Sequence, residues 1–119
     1  MGKRKLLGQA GEDLVEDYLK RKKFKILEKN FTSKIGEIDI IAQKENLIVF
    51  VEVKARKKTY FPISSVVNPS KQRKIILTAH LFIVQNGIED KICRFDVATV
   101  VFNEENHSIE YIDNAFQDD

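Results

Sequence analysis

Apolar residues in this chain recur with two different periods. From Lys5 to Lys22 they return every three or four positions, placing Leu7, Ala10, Leu14 and Tyr18 on one face and predicting a helix. Glu12 lies off the centre of that face, beside Gly8, Val15 and Leu19. Strand-like runs follow near Phe24 to Phe31, Glu37 to Gln43 and Leu47 to Ala55, with Gln43-Lys44-Glu45-Asn46 as the turn between the last two. Asn68-Pro69-Ser70 starts a second helix, Asn68 as cap and Pro69 in the first turn, which runs to about Gln85 and stops before Asn86-Gly87. Strands near Ile92 to Phe102 and Ser108 to Ile112 follow, and Gln117-Asp118-Asp119 reads as a frayed end. This order predicts an α/β fold, a three-layer sandwich with helices flanking a mixed central sheet, as one domain over 1–119 with its core between about 5 and 116.

The third strand is unusual. Leu47, Val49, Val51 and Val53 on one face and Ile48 and Phe50 on the other mark a strand covered on both sides. Period two then puts Glu52 and Lys54 on the face of Ile48 and Phe50, where a charge must be paired, hydrated or bound. In a hairpin whose paired residue numbers sum to 89, Glu37 faces Glu52 and Asp39 is its diagonal neighbour; a sum of 91 pairs Asp39 with Glu52 directly. An even sum separates the two acids onto opposite faces, and the turn residues leave these registers open.

Two acids and a lysine at the end of adjacent strands suit phosphodiester hydrolysis. Carboxylate oxygens hold a hard cation such as Mg²⁺ and leave coordination positions for water and phosphate. An ammonium beside them orients the nucleophile or stabilises the transition state. An isolated Glu-x-Lys is equally the pattern of a structural ion pair at a strand end; the buried run and the second acidic strand are what set this one apart.

These residues sit in a set of segments that resembles a known family. Gly8-Gln9-Ala10-Gly11-Glu12, Asn30, Gly36 to Ala42, Val49 to Arg56, Lys71, Arg94 to Val97 and Asn114-Ala115-Phe116 resemble the YraN-like family of bacterial proteins, which is similar in turn to the PD-(D/E)XK nucleases and their Holliday-junction-resolvase-like branch. The resemblance implies a restriction-endonuclease-like sandwich of order αβββαββ. It also implies Mg²⁺ or Mn²⁺ held by Asp39, Glu52 and the Val53 carbonyl, catalysis by Lys54, and support from Glu12. Branched or repair intermediates of DNA are the substrates it points to. The chain departs from the pattern at Tyr60-Phe61-Pro62, where a Phe-Gly pair is expected.

Composition adds a compartment and a charge map. A single cysteine, Cys93, excludes an internal disulfide and reads as a packed strand residue, and no Cys/His cluster marks zinc. No segment is apolar enough for a signal peptide or a membrane span, so the expectation is a cytoplasmic protein with no membrane partner. Net charge is +2, yet residues 1–74 hold 18 Lys/Arg against 9 Asp/Glu and the remainder 2 against 9. Arg56-Lys57-Lys58 and Lys71, Arg73 and Lys74 are the candidate DNA contacts, with Lys71 near a helix start that itself attracts phosphate. Lys20 to Lys23 read at least as well as complement to a helix end, and His80 and His107 as structural residues.

The leading expectation is a Mg²⁺-dependent endonuclease acting on DNA, with a homodimer fitting the need to cut two strands. A non-catalytic nucleic-acid-binding module on the same fold is the alternative. An adaptor docking another protein through the acidic C-terminal part is a third.

Overall fold

Ile48, Val49, Phe50 and Val51 are all buried, so the strand that holds them must be covered on both faces. The computed structural model describes residues 3–57 and 67–118, with side chains from Leu6 onward, and provides that cover with one helix on each side. The chain runs α1 (Lys3–Arg21), β1 (Lys25–Thr32), β2 (Glu37–Lys44), β3 (Leu47–Lys57), α2 (Pro69–Gln85), β4 (Ile92–Phe102) and β5 (His107–Phe116). The strands form one mixed sheet in that same order. β3 and β4 are parallel from Leu47↔Ile92 to Lys57↔Phe102, as a helical crossover through α2 requires, and the other neighbours are antiparallel. The expected α/β class with a mixed sheet between two helices is what forms.

Val15 and Leu19 of α1 pack on Ile40, Val49, Val51, Ala98 and Val100. On the other face Ile75, Ala79 and Phe82 of α2 pack on Ile38, Phe50, Phe95 and Val97. Each fully buried Ile, Val or Phe contributes about 1.5–3 kcal/mol relative to exposure, so these two clusters hold the layers together.

The buried stripe of α1 differs from the one expected. It runs through Gly11, Val15 and Leu19, with Leu14 and Tyr18 at its flank. The reason is close approach: a Cβ on Gly11 would stand 2.8 Å from that of Ala55 on β3. A Cβ on Gly8 would meet nothing within 4 Å, so of the two glycines only Gly11 serves the contact. The end of α1 behaves as expected, with Lys20 and Arg21 in the last turn and Lys23 at φ 74. α2 is capped by Asn68, whose Oδ1 accepts the Lys71 N–H at 2.9 Å, has Pro69 as its first residue, and is closed by Asn86 and Gly87 at φ 59.

Three expectations are corrected. β5 continues past Ile112 to Phe116 through an irregularity at Asn114, φ 52. Cys93 lies at the exposed start of β4 rather than packed in the sheet. Asp118 is tied back by a 2.9 Å contact with exposed His80 rather than frayed. Lys58, Tyr60, Phe61, Pro62 and Asp119 lie outside the described residues. Among the described residues no helix is long and apolar enough to cross a membrane.

Candidate active site

β2 and β3 are joined by the two-residue loop Glu45-Asn46, Glu45 at φ 54, and pair from Lys44↔Leu47 to Ile40↔Val51. That is the register summing to 91. The paired ladder ends at Ile40↔Val51. Instead of a backbone carbonyl, the Asp39 carboxylate oxygen Oδ2 accepts the Val53 N–H at 2.8 Å.

The alternation of faces also slips here. Ile38 and Ile40, which a regular strand would keep together, belong to opposite core clusters. On β1, Lys29 reaches Asp13 and Glu16 of α1 while Phe31 stacks edge-on against Phe82 of α2, ring centres 5.2 Å apart. Asn30, at φ 54, lies between them, opposite Asp39. The faces of the sheet exchange at this point, and Asp39, beyond the last residue of β2 paired with β3, meets Glu52.

The two carboxyl groups strain against each other electrostatically. Burial first and the Glu52 charge second push Asp39 up to about 8, helped by a hydrogen bond to Glu52 and the charge of Glu12, and opposed by the Val53 N–H. Glu52 is 8% exposed and forms an ion pair with the Lys71 ammonium from the first turn of α2. Glu12 enters from α1; burial raises its carboxyl, while Asn30 and Lys29 pull it partway back. Its Oε1 is buried without a hydrogen-bond partner.

A cleft of about 530 Å³ opens over the pair, lined by Gly36, Glu37, Asp39, Glu52, Asn68, Ser70, Lys71, Lys74 and Ile75. Lys54 and Arg56 follow Glu52 on the same face of β3, whereas Lys57 points to the α1 side, in a separate groove with Leu6, Leu7, Ala10 and Phe102. Arg56 and Lys57 are thus divided between the two faces of the strand that carries them. Lys71 and Lys74 belong to the cleft; Arg73 is exposed on α2 and does not line it.

Among the described residues no three His, Cys, Asp or Glu side chains make a ready metal cage. The donors fit a cation that needs fewer protein ligands. Two carboxyl groups side by side and an unpartnered carboxylate oxygen on Glu12 suit Mg²⁺, which keeps several of its waters.

Sequence reasoning assigned no role to Asp96. Buried at 1% exposure, it accepts Arg94 Nε at 2.9 Å and Nη2 at 3.0 Å, the Tyr111 hydroxyl, and the Asn114 N–H at 2.9 Å. These donors fasten the irregular part of β5 to β4, and Tyr111 stacks on Tyr18 of α1 with ring centres 5.1 Å apart. With burial and the Asp96 charge both raising its phenol, Tyr111 stays a neutral donor. The signal available in the sequence was Arg94-x-Asp96, a period-two charge pair within an apolar strand. For Asn30 it was a poor strand former in mid-strand.

The profile of the uncharacterised protein family UPF0102 matches residues 11–100, a stretch that contains Glu12, Asp39, Glu52, Lys54 and Lys71. This chain belongs to that family. A UPF0102 protein of Clostridium botulinum (strain 657 / Type Ba4) is 47% identical over 115 residues, 93% of this chain and 94% of its own length. Another from C. botulinum (strain Kyoto / Type A2) is 46% identical over 115 residues, with the same coverage of both chains. A UPF0102 protein of Caldanaerobacter subterraneus subsp. tengcongensis is 43% identical over 117 residues, 95% and 96% of the two chains. UPF0102 membership carries no reaction with it, so the chemistry of the cleft has to supply one.

Proposed function

We propose that this UPF0102 protein is a divalent-metal-dependent endonuclease on a restriction-endonuclease-like fold, hydrolysing phosphodiester bonds of DNA. The observation that carries the reading is the Asp39–Glu52 pair: two buried carboxyl groups held together against their repulsion, beside an unpartnered Glu12 oxygen and within reach of lysines. Such a pair is poorly matched to an empty core and well matched to a cation.

Asp39, Glu52 and the Val53 carbonyl are the residues that would hold Mg²⁺ or Mn²⁺, with Glu12 supporting them. When bound, the ion supplies charge neutralisation at the phosphate and activation of a water. Asp39 would serve as a ligand in its carboxylate form, its proton released to bulk water, and Glu52 would turn to the ion from the Lys71 ammonium. Lys71, so released at the mouth of the cleft, is free to meet a phosphate oxygen. Lys54, two residues beyond Glu52 on the same face, orients the attacking water and stabilises the developing charge. Lys74 and the N–H groups at the start of α2 bind the flanking backbone. Branched or repair DNA is the substrate class suggested by the family resemblance.

The test combines calorimetric titration of Mg²⁺ and Mn²⁺ with a panel of labelled duplex, single-stranded and four-way-junction DNA. Asp39→Ala should lose both metal uptake and cleavage; Lys54→Ala should keep metal uptake and lose about 10²–10³-fold in cleavage. Full cleavage by either variant would overturn the assignment. The Lys71–Glu52 ion pair favours one second reading, since it satisfies Glu52 without a metal. A nucleic-acid-binding module of that kind would bind DNA in EDTA, lose affinity with salt and cut nothing.

A further inference from the structure

α2 presents a second face that the core does not use. Opposite Ile75, Ala79 and Phe82 lie Leu77, Leu81 and Val84, spaced by four and three residues, with Leu77 51% and Val84 77% exposed. The charges along this helix oppose its macrodipole. Its first turn contains no acid and its last turn no base; Lys71, Arg73 and Lys74 lie near its start, and Glu89 and Asp90 follow its end. Each such placement disfavours the helix.

Part of the pattern is explained within the chain, because Lys71 pairs with Glu52 and Lys74 lines the cleft. Arg73, Glu89 and Asp90 are exposed and, among the described residues, pair with nothing. An antiparallel copy of the same helix explains them. With residue numbers summing to 161 across a two-fold axis, Leu77 faces Val84 of the second copy and His80 faces its Leu81. Arg73 then lies against Ile88 of the second copy, within reach of its Glu89 and Asp90. The helix dipoles oppose, and every basic start meets an acidic end. His80, which falls at the axis, is held by its 2.9 Å contact with Asp118.

We infer that this face of α2 is a homodimer interface, with two α2 helices packed antiparallel across a two-fold axis. The 17-residue helix is about 25 Å long and presents a strip about 10 Å wide, well under the area of a standard interface, so the dimer is a weak, reversible one. The inference is independent of the reaction proposed above. Its consequence for that reaction is geometric: each cleft lies at the start of α2, so the dimer sets its two clefts at opposite ends of the helix pair.

Sedimentation velocity from about 5 to about 500 µM, at low and high salt, tests it. The expected result is a monomer–dimer equilibrium weakened by salt. Leu77→Glu should weaken it at least about 30-fold, and Arg73→Glu or Glu89→Arg alone about 10-fold. Combining Arg73→Glu with Glu89→Arg in one chain should restore affinity to within about 3-fold, since the symmetry repairs both contacts. All four side chains are exposed, so the monomer should keep its circular dichroism and Tm; Val84→Glu is the substitute should Leu77→Glu fail to fold. A monomer at every concentration, a dimer indifferent to both apolar substitutions, or a double variant that stays weak would overturn the inference.

Discussion

Asp39→Asn should make the metal-free protein more stable in base. In the folded chain, burial and then the Glu52 charge push the Asp39 carboxyl up to about 8, whereas in an unfolded chain an Asp titrates near ~3.9. The folded protein therefore retains a proton that the unfolded protein has lost, and stability falls as pH climbs from about 4 to about 8. For one such group the loss between about pH 6 and about pH 9 is about 2–3 kcal/mol. An amide has the same shape, can still accept the Val53 N–H, and carries no charge at any pH. In EDTA the variant should match wild type only below about pH 4 and exceed it increasingly above, the gap widening by about 2 kcal/mol between about pH 6 and about pH 9, roughly 5–10 °C in Tm. Urea and thermal unfolding followed by circular dichroism across that range measure the difference. Added Mg²⁺ should raise the Tm of the wild type and not of the variant. Equal pH slopes for the two proteins in EDTA, or a variant less stable at pH 9, would refute the like-charge account of the site.

Gly11→Ala should destabilise by about 1–3 kcal/mol, because the new methyl meets Ala55 at 2.8 Å, while Gly8→Ala, with open space around it, should stabilise α1 by about 0.5–1 kcal/mol; chemical denaturation of the two variants compares them directly. Asp96→Ala leaves Arg94, the Tyr111 hydroxyl and the Asn114 N–H without their acceptor and should cost about 3–5 kcal/mol, read in the same assay. Tyr111→Phe removes one donor of that set and should cost about 1–2 kcal/mol, with hydrogen exchange quickening first in β5.

Much of this molecule can be read from short-range signals, and its departures come from long-range ones. Asn68-Pro69 and Asn86-Gly87 delimit α2 because capping is local chemistry. Asp113-Asn114 resembles a turn, and β5 runs through it only because Asp96, 18 residues earlier, accepts the Asn114 N–H. The α1 stripe was misplaced by counting side chains at a contact whose central residue, Gly11, has none. Asp39 and Glu52 were legible as a pair because one hairpin contains both. Their register was not, since sums of 89 and 91 put them on the same face, and the slip between Ile38 and Ile40 breaks the alternation on which either count depends. The Lys71–Glu52 ion pair depends on how the crossover lays α2 across the sheet, which no local pattern encodes.

The two-residue loop between β2 and β3 also bears on the order of folding. Asp39 and the Val53 N–H it accepts are 14 residues apart, whereas β3 finds β4 only after the chain has crossed through α2. A hairpin closes in about 1–10 µs, well ahead of pairings that demand a long crossover. The charge repulsion of the two acids is accordingly met in that hairpin, before Lys71 arrives to offset it, while the larger cost, burial of Asp39, comes only as the helices close over the sheet. Raising the pH should therefore slow folding through the repulsion and shorten the life of the folded state through the burial, so both arms of a chevron should move with pH. Movement confined to the unfolding arm would mean that the acids meet only after the barrier has been crossed.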